Sequence, residues 1–212
     1  PAEQIGDPDN FVSLLYYFGM VTIAGTHQGK TKFVIPNEVV REQLFRYLLD
    51  TYKENDLVYD RYSKGKLESK LAYDGQFKPY FEYIADCLKK YSSQRDKQKG
   101  EAFVHGFTLA MTSQNKFYRP ISELDNDGGY ADIFLSPLCD IYKDMVDSYI
   151  IELKYCKSQT TDEQVKKLFE EASAQISRYA DSDMVREAVK TTKLHKLVVI
   201  YRGAEMVACE EI

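Results

Sequence analysis

The sequence has no tryptophan, only four cysteines and no long apolar run. The cysteines lie far apart and form no C-x-x-C pair, which argues against a zinc ribbon or a disulfide scaffold and favours a reducing compartment. No apolar stretch reaches the roughly 20 residues that span a bilayer, so we expect no membrane helix and a cytoplasmic protein. The first ten residues lack the basic and apolar segments of a signal peptide. The missing initial Met indicates a piece of a longer protein or a chain that was trimmed.

The chain also lacks an excess of basic side chains, with 28 Lys and Arg against 33 Asp and Glu. Residues 1–95 are neutral in sum, so the acidic excess falls in residues 96–212. Because a basic surface is typical of nucleic-acid binding, this distribution counts against such a partner. The chain does have 44% hydrophobic and 13% aromatic residues, which predicts an ordered protein with a substantial core.

A polar stretch at residues 92–100 ends in glycine and predicts a linker between two domains, residues 1–95 and 96–212. Its lysines and arginine are interpreted as solvated, with a phosphate contact as the less favoured alternative. The first domain is predicted to be mainly helical. Its helices are expected at residues 9–18, at 79–91 and after an Asn37 cap, and its hairpin strands at 20–24 and 32–35. The order helix, hairpin, helix resembles a winged-helix-like module.

The second domain has a different pattern. Helices are predicted at residues 101–111 and 162–180, and strands at 118–124, 130–135, 148–155, 194–201 and 204–209. The order α-β-β-β-α-β-β predicts a mixed α/β fold, in which helices pack against a mixed sheet.

Residues 24–31 satisfy a relaxed phosphate-loop pattern, with Ala24 in the place of the first glycine. Such a loop binds phosphate through its amides and through the N-terminus of the helix that follows. Here a β-rich run that ends at Pro36 follows instead. We therefore predict a hairpin loop and no nucleotide site.

Two charged residues lie within the apolar strand predicted at residues 148–155. Glu152 and Lys154 are two positions apart, so both side chains leave the same face of the strand. Burial of a carboxylate and an ammonium group costs several kcal/mol unless they are paired or hold a ligand. From this strand alone, an exposed strand end at which both charges reach water is as well supported as a buried pair with a function.

Asp132 lies in the preceding apolar strand, just after a glycine-rich turn. Neighbouring strands are about 4.8 Å apart, which would bring Asp132 and Glu152 within reach of one cation. Two carboxylates suit Mg²⁺, because this ion keeps several waters and accepts substrate phosphates. A nearby lysine can stabilise charge that develops on phosphorus. The three histidines lie in different elements and do not have the spacing of a zinc hydrolase.

At these residues the sequence resembles the PD-(D/E)XK nuclease superfamily, with Asp132 followed by Glu152-Leu153-Lys154 as the (D/E)-x-K tripeptide. Gln175 and Tyr179 resemble the Q-x-x-x-Y motif of the RecB-like branch, although a polar residue and an aromatic at a core edge would look the same. The whole chain is similar to the C-terminal part of Bacteroides-type AAA-ATPase-like proteins. The resemblance implies a restriction-endonuclease-like mixed sheet flanked by helices.

The resemblance also implies roles for individual residues. Asp132 and Glu152 would bind Mg²⁺ or Mn²⁺, with the Leu153 carbonyl as a candidate third ligand, and Lys154 would position or activate water. Glu101 matches an acidic residue of the first core helix and would be a further metal ligand, although a first-turn acid favoured by the helix dipole is an equal alternative. His105, one turn later, is interpreted first as a core or surface histidine and second as a site residue. Glu123 is a further candidate acid.

Two functions follow from this interpretation. The first is a metal-dependent nuclease that hydrolyses DNA phosphodiester bonds as the C-terminal effector of a larger ATPase. The second is a non-catalytic module on the same fold that binds nucleic acid or protein, and the acidic net charge keeps it open.

Overall fold

The structure is a computed structural model that describes residues 8–54, 59–93, 100–126, 129–180 and 183–212. The chain forms two compact units, Pro1–Thr51 and Tyr52–Ile212. The predicted domain division at residues 95/96 falls inside the second unit and stays a prediction. Residues 94–99, most of the proposed linker, lie outside the described residues.

The first unit has the predicted order of helix, hairpin and helix, and the winged-helix-like interpretation of it stays a prediction. Its elements are α1 (Pro8–Tyr17), β1 (Thr22–His27), β2 (Lys30–Val34) and α2 (Glu38–Glu54). Asn37 caps α2, because its side-chain oxygen accepts a hydrogen bond of 3.0 Å from the Val40 amide. Tyr16 of α1 meets Phe33 of β2 edge to face, with ring centroids 6.0 Å apart.

The segment with the phosphate-loop pattern is a hairpin. β1 and β2 pair antiparallel, and His27 lies opposite Lys30 across a turn of two residues, Gln28 and Gly29. Gly29 has a φ of 77°, a left-handed conformation that favours glycine. A strand rather than a helix begins at Lys30, so the prediction of a hairpin is confirmed.

The second unit contains five helices and five strands among its described residues. They are α3 (Arg61–Asp74), α4 (Phe77–Ser93), α5 (Glu101–Thr112), β3 (Tyr118–Asn126), β4 (Gly129–Pro137), β5 (Asp147–Cys156), α6 (Asp162–Tyr179), α7 (Asp183–Val189), β6 (Lys193–Arg202) and β7 (Glu205–Glu211). The sequence patterns predicted all of these except α3 and α7, with ends that differ by a few residues.

The five strands form one mixed sheet in the order β3-β4-β5-β6-β7. β5 and β6 are parallel, whereas the other three neighbouring pairs are antiparallel. A parallel pair needs a crossover connection, which α6 and α7 provide. The prediction of a restriction-endonuclease-like mixed sheet flanked by helices is therefore confirmed.

Helices cover both faces of the sheet. On one face α6 packs against β4, β5 and β6, and the shared core contains Phe134, Ile150, Ile176 and Val198. On the other face lie α3, α4 and α5. The buried Tyr149 hydroxyl of β5 donates a 2.7 Å hydrogen bond to a backbone carbonyl of α3. Helices on both sides explain why β5 is apolar on both faces.

All four cysteines are free thiols, two of them buried. Across the described ranges, every helix is too short or too polar to cross a membrane.

Candidate active site

The first candidate site residues lie where β5 leaves the core. β5 is buried from Asp147 to Leu153 and becomes half-buried from Lys154 onward. The Glu152 side chain is 2% exposed and the Lys154 side chain is 21% exposed. The alternative in which both charges lie at an exposed strand end is therefore wrong for Glu152. Lys154 Nζ donates a 2.6 Å hydrogen bond to Glu152 Oε1, so the buried carboxylate is paired.

Asp132 lies on β4 where the pairing of β4 with β5 ends. The last paired residues on this side are Ile133 and Ile151, and the next pair in register would be Asp132 and Glu152. Instead of continuing the backbone ladder, Asp132 accepts a 2.8 Å hydrogen bond through Oδ2 from the Leu153 amide. The Asp132 side chain therefore occupies the place of a backbone partner, between the strands that carry the candidate carboxylates.

The Leu153 backbone presents a second polar group to the same region. In a β-strand the N–H and C=O of one residue point to the same neighbouring strand. Because the Leu153 amide points at Asp132, the Leu153 carbonyl faces the β4 side as well. The side chain of Leu153 is buried on the opposite face from Glu152 and Lys154. Only its backbone is therefore available to a ligand.

Burial dominates the electrostatics of the three charged groups. It raises the pKa of Glu152 to about 7, against the opposing hydrogen bond from Lys154, and the negative charge of Asp132 adds to the rise. Burial also raises the pKa of Asp132, although its hydrogen bond from Leu153 opposes this. Burial works to lower the pKa of Lys154, but the hydrogen bond to Glu152 and the negative charges of Glu152, Asp132 and Glu101 together outweigh it and raise the pKa. Lys154 is therefore a cation at neutral pH.

One carboxylate oxygen of this group lacks a partner. Glu152 Oε2 is buried and makes no hydrogen bond. An unsatisfied buried oxygen on an ionised carboxylate costs free energy that a cation or a donor group would recover. This atom is the clearest sign that the site is built for a ligand.

Two residues of α5 lie near the same strand ends. Glu101 is the exposed first residue of α5, and its charge acts on both Asp132 and Lys154. His105 is half-buried, and its Nε2 lies 3.1 Å from the Asp132 backbone oxygen. The structure thus favours the second interpretation of His105, as a residue of the site region. Its spacing of one helical turn from Glu101 was the available signal.

The other candidate residues are placed less directly. Gln175 lies on α6 beside the core residue Ile176, and its Oε1 is buried without a hydrogen-bond partner. Since Ile150 of β5 packs in the α6 core, strand alternation puts Glu152 on the face that α6 covers. Tyr179 ends α6, and Glu123 lies in β3. The side chains of both lie outside the described part of the structure.

The groups of this site that could bind a metal ion are all oxygen ligands. Within the part of the chain that the structure describes, no group of three or more His, Cys, Asp and Glu side chains is arranged to hold a metal. The available donors are two carboxylates and a backbone carbonyl, all hard oxygen ligands. This set fits Mg²⁺ or Mn²⁺, which complete their coordination with water and phosphate oxygens. It does not fit a structural zinc site.

Comparison with known proteins agrees with this geometry. The family model described as "PD-(D/E)XK nuclease superfamily" matches residues 99–211, just over half of the chain. Neither the curated proteins nor the solved structures gave a significant match. The matched range runs from α5 to β7 and contains every candidate site residue. The chain therefore belongs to the PD-(D/E)XK nuclease superfamily.

Proposed function

We propose that this protein is a metal-dependent nuclease that hydrolyses phosphodiester bonds in DNA. One observation carries the proposal. Where β4 and β5 stop pairing, Asp132 and Glu152 lie on neighbouring strands beside the Lys154 cation, and Glu152 Oε2 is buried without a partner. Superfamily membership supports a nuclease. The metal, the DNA substrate and the assignment of roles below are our proposals.

Asp132 and Glu152 would hold the ion, with the Leu153 carbonyl as a third protein ligand. When bound, a Mg²⁺ or Mn²⁺ ion neutralises phosphate charge and lowers the pKa of water. The two carboxylates repel each other without a cation, and this repulsion is part of the rise in the pKa of Glu152. The chain therefore supplies a place that a cation stabilises.

Lys154 acts as a fixed positive charge in this proposal. Because its pKa is raised, the ammonium keeps its proton and is unsuited to a role as general base. It can orient an attacking water and stabilise the negative charge that develops on the phosphate. Its partial exposure lets it reach substrate, while its bond to Glu152 keeps it beside the carboxylates.

The larger context is proposed on the resemblance alone. There the domain would be the effector of an ATPase in the same polypeptide, and DNA would be its substrate. The acidic net charge of −5 predicts weak binding of the isolated chain to DNA. The ATPase would then bring the nuclease to its substrate.

A cleavage assay tests the proposal. The purified chain is incubated with plasmid DNA, linear DNA and RNA, each with Mg²⁺, Mn²⁺ or EDTA, beside Lys154→Ala and Lys78→Ala. Lys78 is a matched control, because it is an exposed lysine of α4 on the other face of the sheet, paired with Glu210. We expect metal-dependent cleavage of DNA that Lys154→Ala abolishes and Lys78→Ala retains. Cleavage that is equal in all three proteins would show a contaminant and contradict the proposal.

A non-catalytic nucleic-acid or protein interaction module is the second candidate. The observation that favours it is the small donor set, with no cluster of three metal-binding side chains among the described residues. A thermal shift distinguishes the two, since a ligand at 100 times its Kd stabilises a protein by about 2.7 kcal/mol. A rise in Tm with Mg²⁺ or Mn²⁺ that Glu152→Gln removes supports the nuclease. DNA binding without cleavage, unchanged in Glu152→Gln, supports the module.

A further inference from the structure

His105 connects α5 to the strand that carries Asp132. Its Nε2 lies 3.1 Å from the backbone oxygen of Asp132. A carbonyl oxygen only accepts hydrogen bonds, so Nε2 carries a proton and donates it. The bond thereby fixes both the tautomer and the orientation of the ring.

This bond acts on the stretch of β4 that has stopped pairing with β5, while β3 still pairs with the residues on either side of Asp132. The pairing of β4 with β5 ends at Ile133 and Ile151, so no backbone ladder from β5 holds Asp132. α5 itself packs mainly on β3, β5 and α4. The His105 bond is therefore a direct link between α5 and the end of the β4–β5 ladder.

Besides the pairing of its neighbours with β3, Asp132 accepts two hydrogen bonds, from two different elements. Its backbone oxygen accepts from His105 of α5, and its carboxylate Oδ2 accepts from the Leu153 amide of β5. The first bond sets where the main chain lies, and the second sets where the carboxylate points. If the first is lost, the Asp132 backbone can move away from β5 and take the carboxylate with it.

We infer that His105 is a positioning residue, which holds the Asp132 main chain so that its carboxylate stays beside Leu153 and Glu152. The expected effect of His105 on catalysis rests on the proposed function. Its expected effect on the position of Asp132 does not. The donated Nε2 proton is all that the role requires. A displacement of about 1 Å in a catalytic group can lower a rate by about 100-fold.

Substitution of His105 by glutamine or by asparagine distinguishes the positioning role from a role in packing alone. Glutamine places its NH₂ group about as far from the backbone as histidine places Nε2, whereas asparagine is shorter and falls short of Asp132. The comparison therefore uses His105→Gln, His105→Asn and His105→Ala. Thr112→Val is the control on α5, because the Thr112 hydroxyl donates to the Leu109 carbonyl of its own helix and, within the described ranges, bonds to no strand.

The first measurement needs no metal and no substrate. Amide hydrogen exchange by NMR reports the Leu153-to-Asp132 bond, with the Ile151 amide as an internal reference on the same strand. We expect protection of Leu153 to fall at least tenfold in His105→Ala and His105→Asn. It should stay within threefold of wild type in His105→Gln and Thr112→Val. Equal protection of Leu153 in all folded variants would overturn the inference.

The second measurement is the rate of DNA cleavage. We expect kcat to fall about 10- to 100-fold in His105→Ala and His105→Asn, with KM for DNA within about twofold and rescue by His105→Gln. A loss confined to KM, or no rescue by Gln despite a folded protein, would overturn the inference. If wild type does not cleave, the proposed function fails, and the exchange result still decides the role of His105. If His105→Ala does not fold, the Gln and Asn pair carries both measurements.

Discussion

Among the residues that the structure describes, two lysine–glutamate pairs contain a buried glutamate, and they differ in what surrounds them. Lys64 and Glu68 lie one turn apart on α3, and Lys64 donates a hydrogen bond to Glu68. Both residues are almost inaccessible, at 3% and 5% exposure. Burial lowers the pKa of Lys64 and raises the pKa of Glu68, so each group is driven toward its neutral form. This pair is closed to solvent and to ligands.

The pair on β5 is open by contrast. Lys154 is one-fifth exposed, and its pKa is raised rather than lowered. Glu152 Oε2 lacks a partner, and Asp132 lies on the neighbouring strand. The difference shows that burial alone does not mark a functional pair. A functional pair is marked instead by an unsatisfied oxygen, a second carboxylate nearby and access from one side.

Substitution of either lysine by methionine should have different consequences. At Lys64 it should lower the free energy of unfolding, whereas at Lys154 it should mainly lower kcat. The first of these is the largest effect on stability that we expect. Lys64→Met leaves Glu68 uncompensated in the core and should lower the free energy of unfolding by about 3 to 5 kcal/mol. Denaturant unfolding measures this change. Activity per folded molecule should match wild type, and a specific loss of activity would mean that α3 takes part in the site.

Lys154→Met should act on the rate. Loss of a charge that stabilises the transition state lowers kcat about 100- to 1000-fold, or about 3 to 4 kcal/mol. The free energy of unfolding should fall by less than in Lys64→Met, because Glu152, which loses its partner, already has a pKa raised to about 7 and takes up a proton near neutral pH. Single-turnover cleavage beside a denaturant titration separates the two effects. A large loss of stability with normal cleavage would make Lys154 a structural residue.

The pH dependence of stability should reveal Glu152 in metal-free protein. Its pKa is about 7 when folded, against an ordinary value of 4.5. Between these values the folded state holds the extra proton, so stability falls as pH rises from about 4.5 to 7. The contribution is at most about 3 kcal/mol. Below pH 4.5 the carboxyl is protonated in both states, and above pH 7 in neither.

Glu152→Gln isolates this contribution. In EDTA, the stability difference between Glu152→Gln and wild type should grow in favour of the variant from pH 4.5 to pH 7. The raised pKa of Glu68 gives a slope of the same sign, but it cancels because both proteins contain Glu68. A difference that stays constant across this range would contradict the assignment.

The smallest expected effect is from removal of the whole closed pair. Lys64→Met combined with Glu68→Leu replaces two desolvated charges with apolar groups of similar size, which is often neutral or stabilising. We expect stability within about 1 kcal/mol of wild type, or above it, by denaturant unfolding. A loss as large as that of Lys64→Met alone would show that the pair specifies the packing of α3.

The closed pair also explains what the sequence could not predict. Most elements follow from alternation, periodicity and turn residues, but α3 was missed. Its buried face contains Lys64 and Glu68 beside Leu71 and Ala72, so charged residues interrupt the apolar periodicity. Its ends carried usable signals. The Asp60 side chain caps it through the Tyr62 amide, and Gly75 closes it with a φ of 65°.

For the candidate site, the sequence predicted residue types and strand order but not contacts. Alternation put Glu152 and Lys154 on one face, and the expected pairing of neighbouring strands brought Asp132 near. The hydrogen bond from Leu153 to Asp132, the unpartnered Glu152 oxygen and the position of His105 depend on where β4 and β5 stop pairing. That point is set by three-dimensional packing. The catalytic and metal-binding roles themselves stay predictions.

The parallel pairing of β5 with β6 has a consequence for how the chain folds. Asp147 of β5 lies opposite Lys193 of β6, and all of α6 and α7 lies between them in sequence. At synthesis rates of about 5–20 residues per second, β5 waits roughly 2 to 9 s for its partner. During that interval an apolar strand with an open edge is available for wrong pairing. Folding of this domain should therefore be slow, and its yield should depend on chaperones more than that of a helical bundle of equal size.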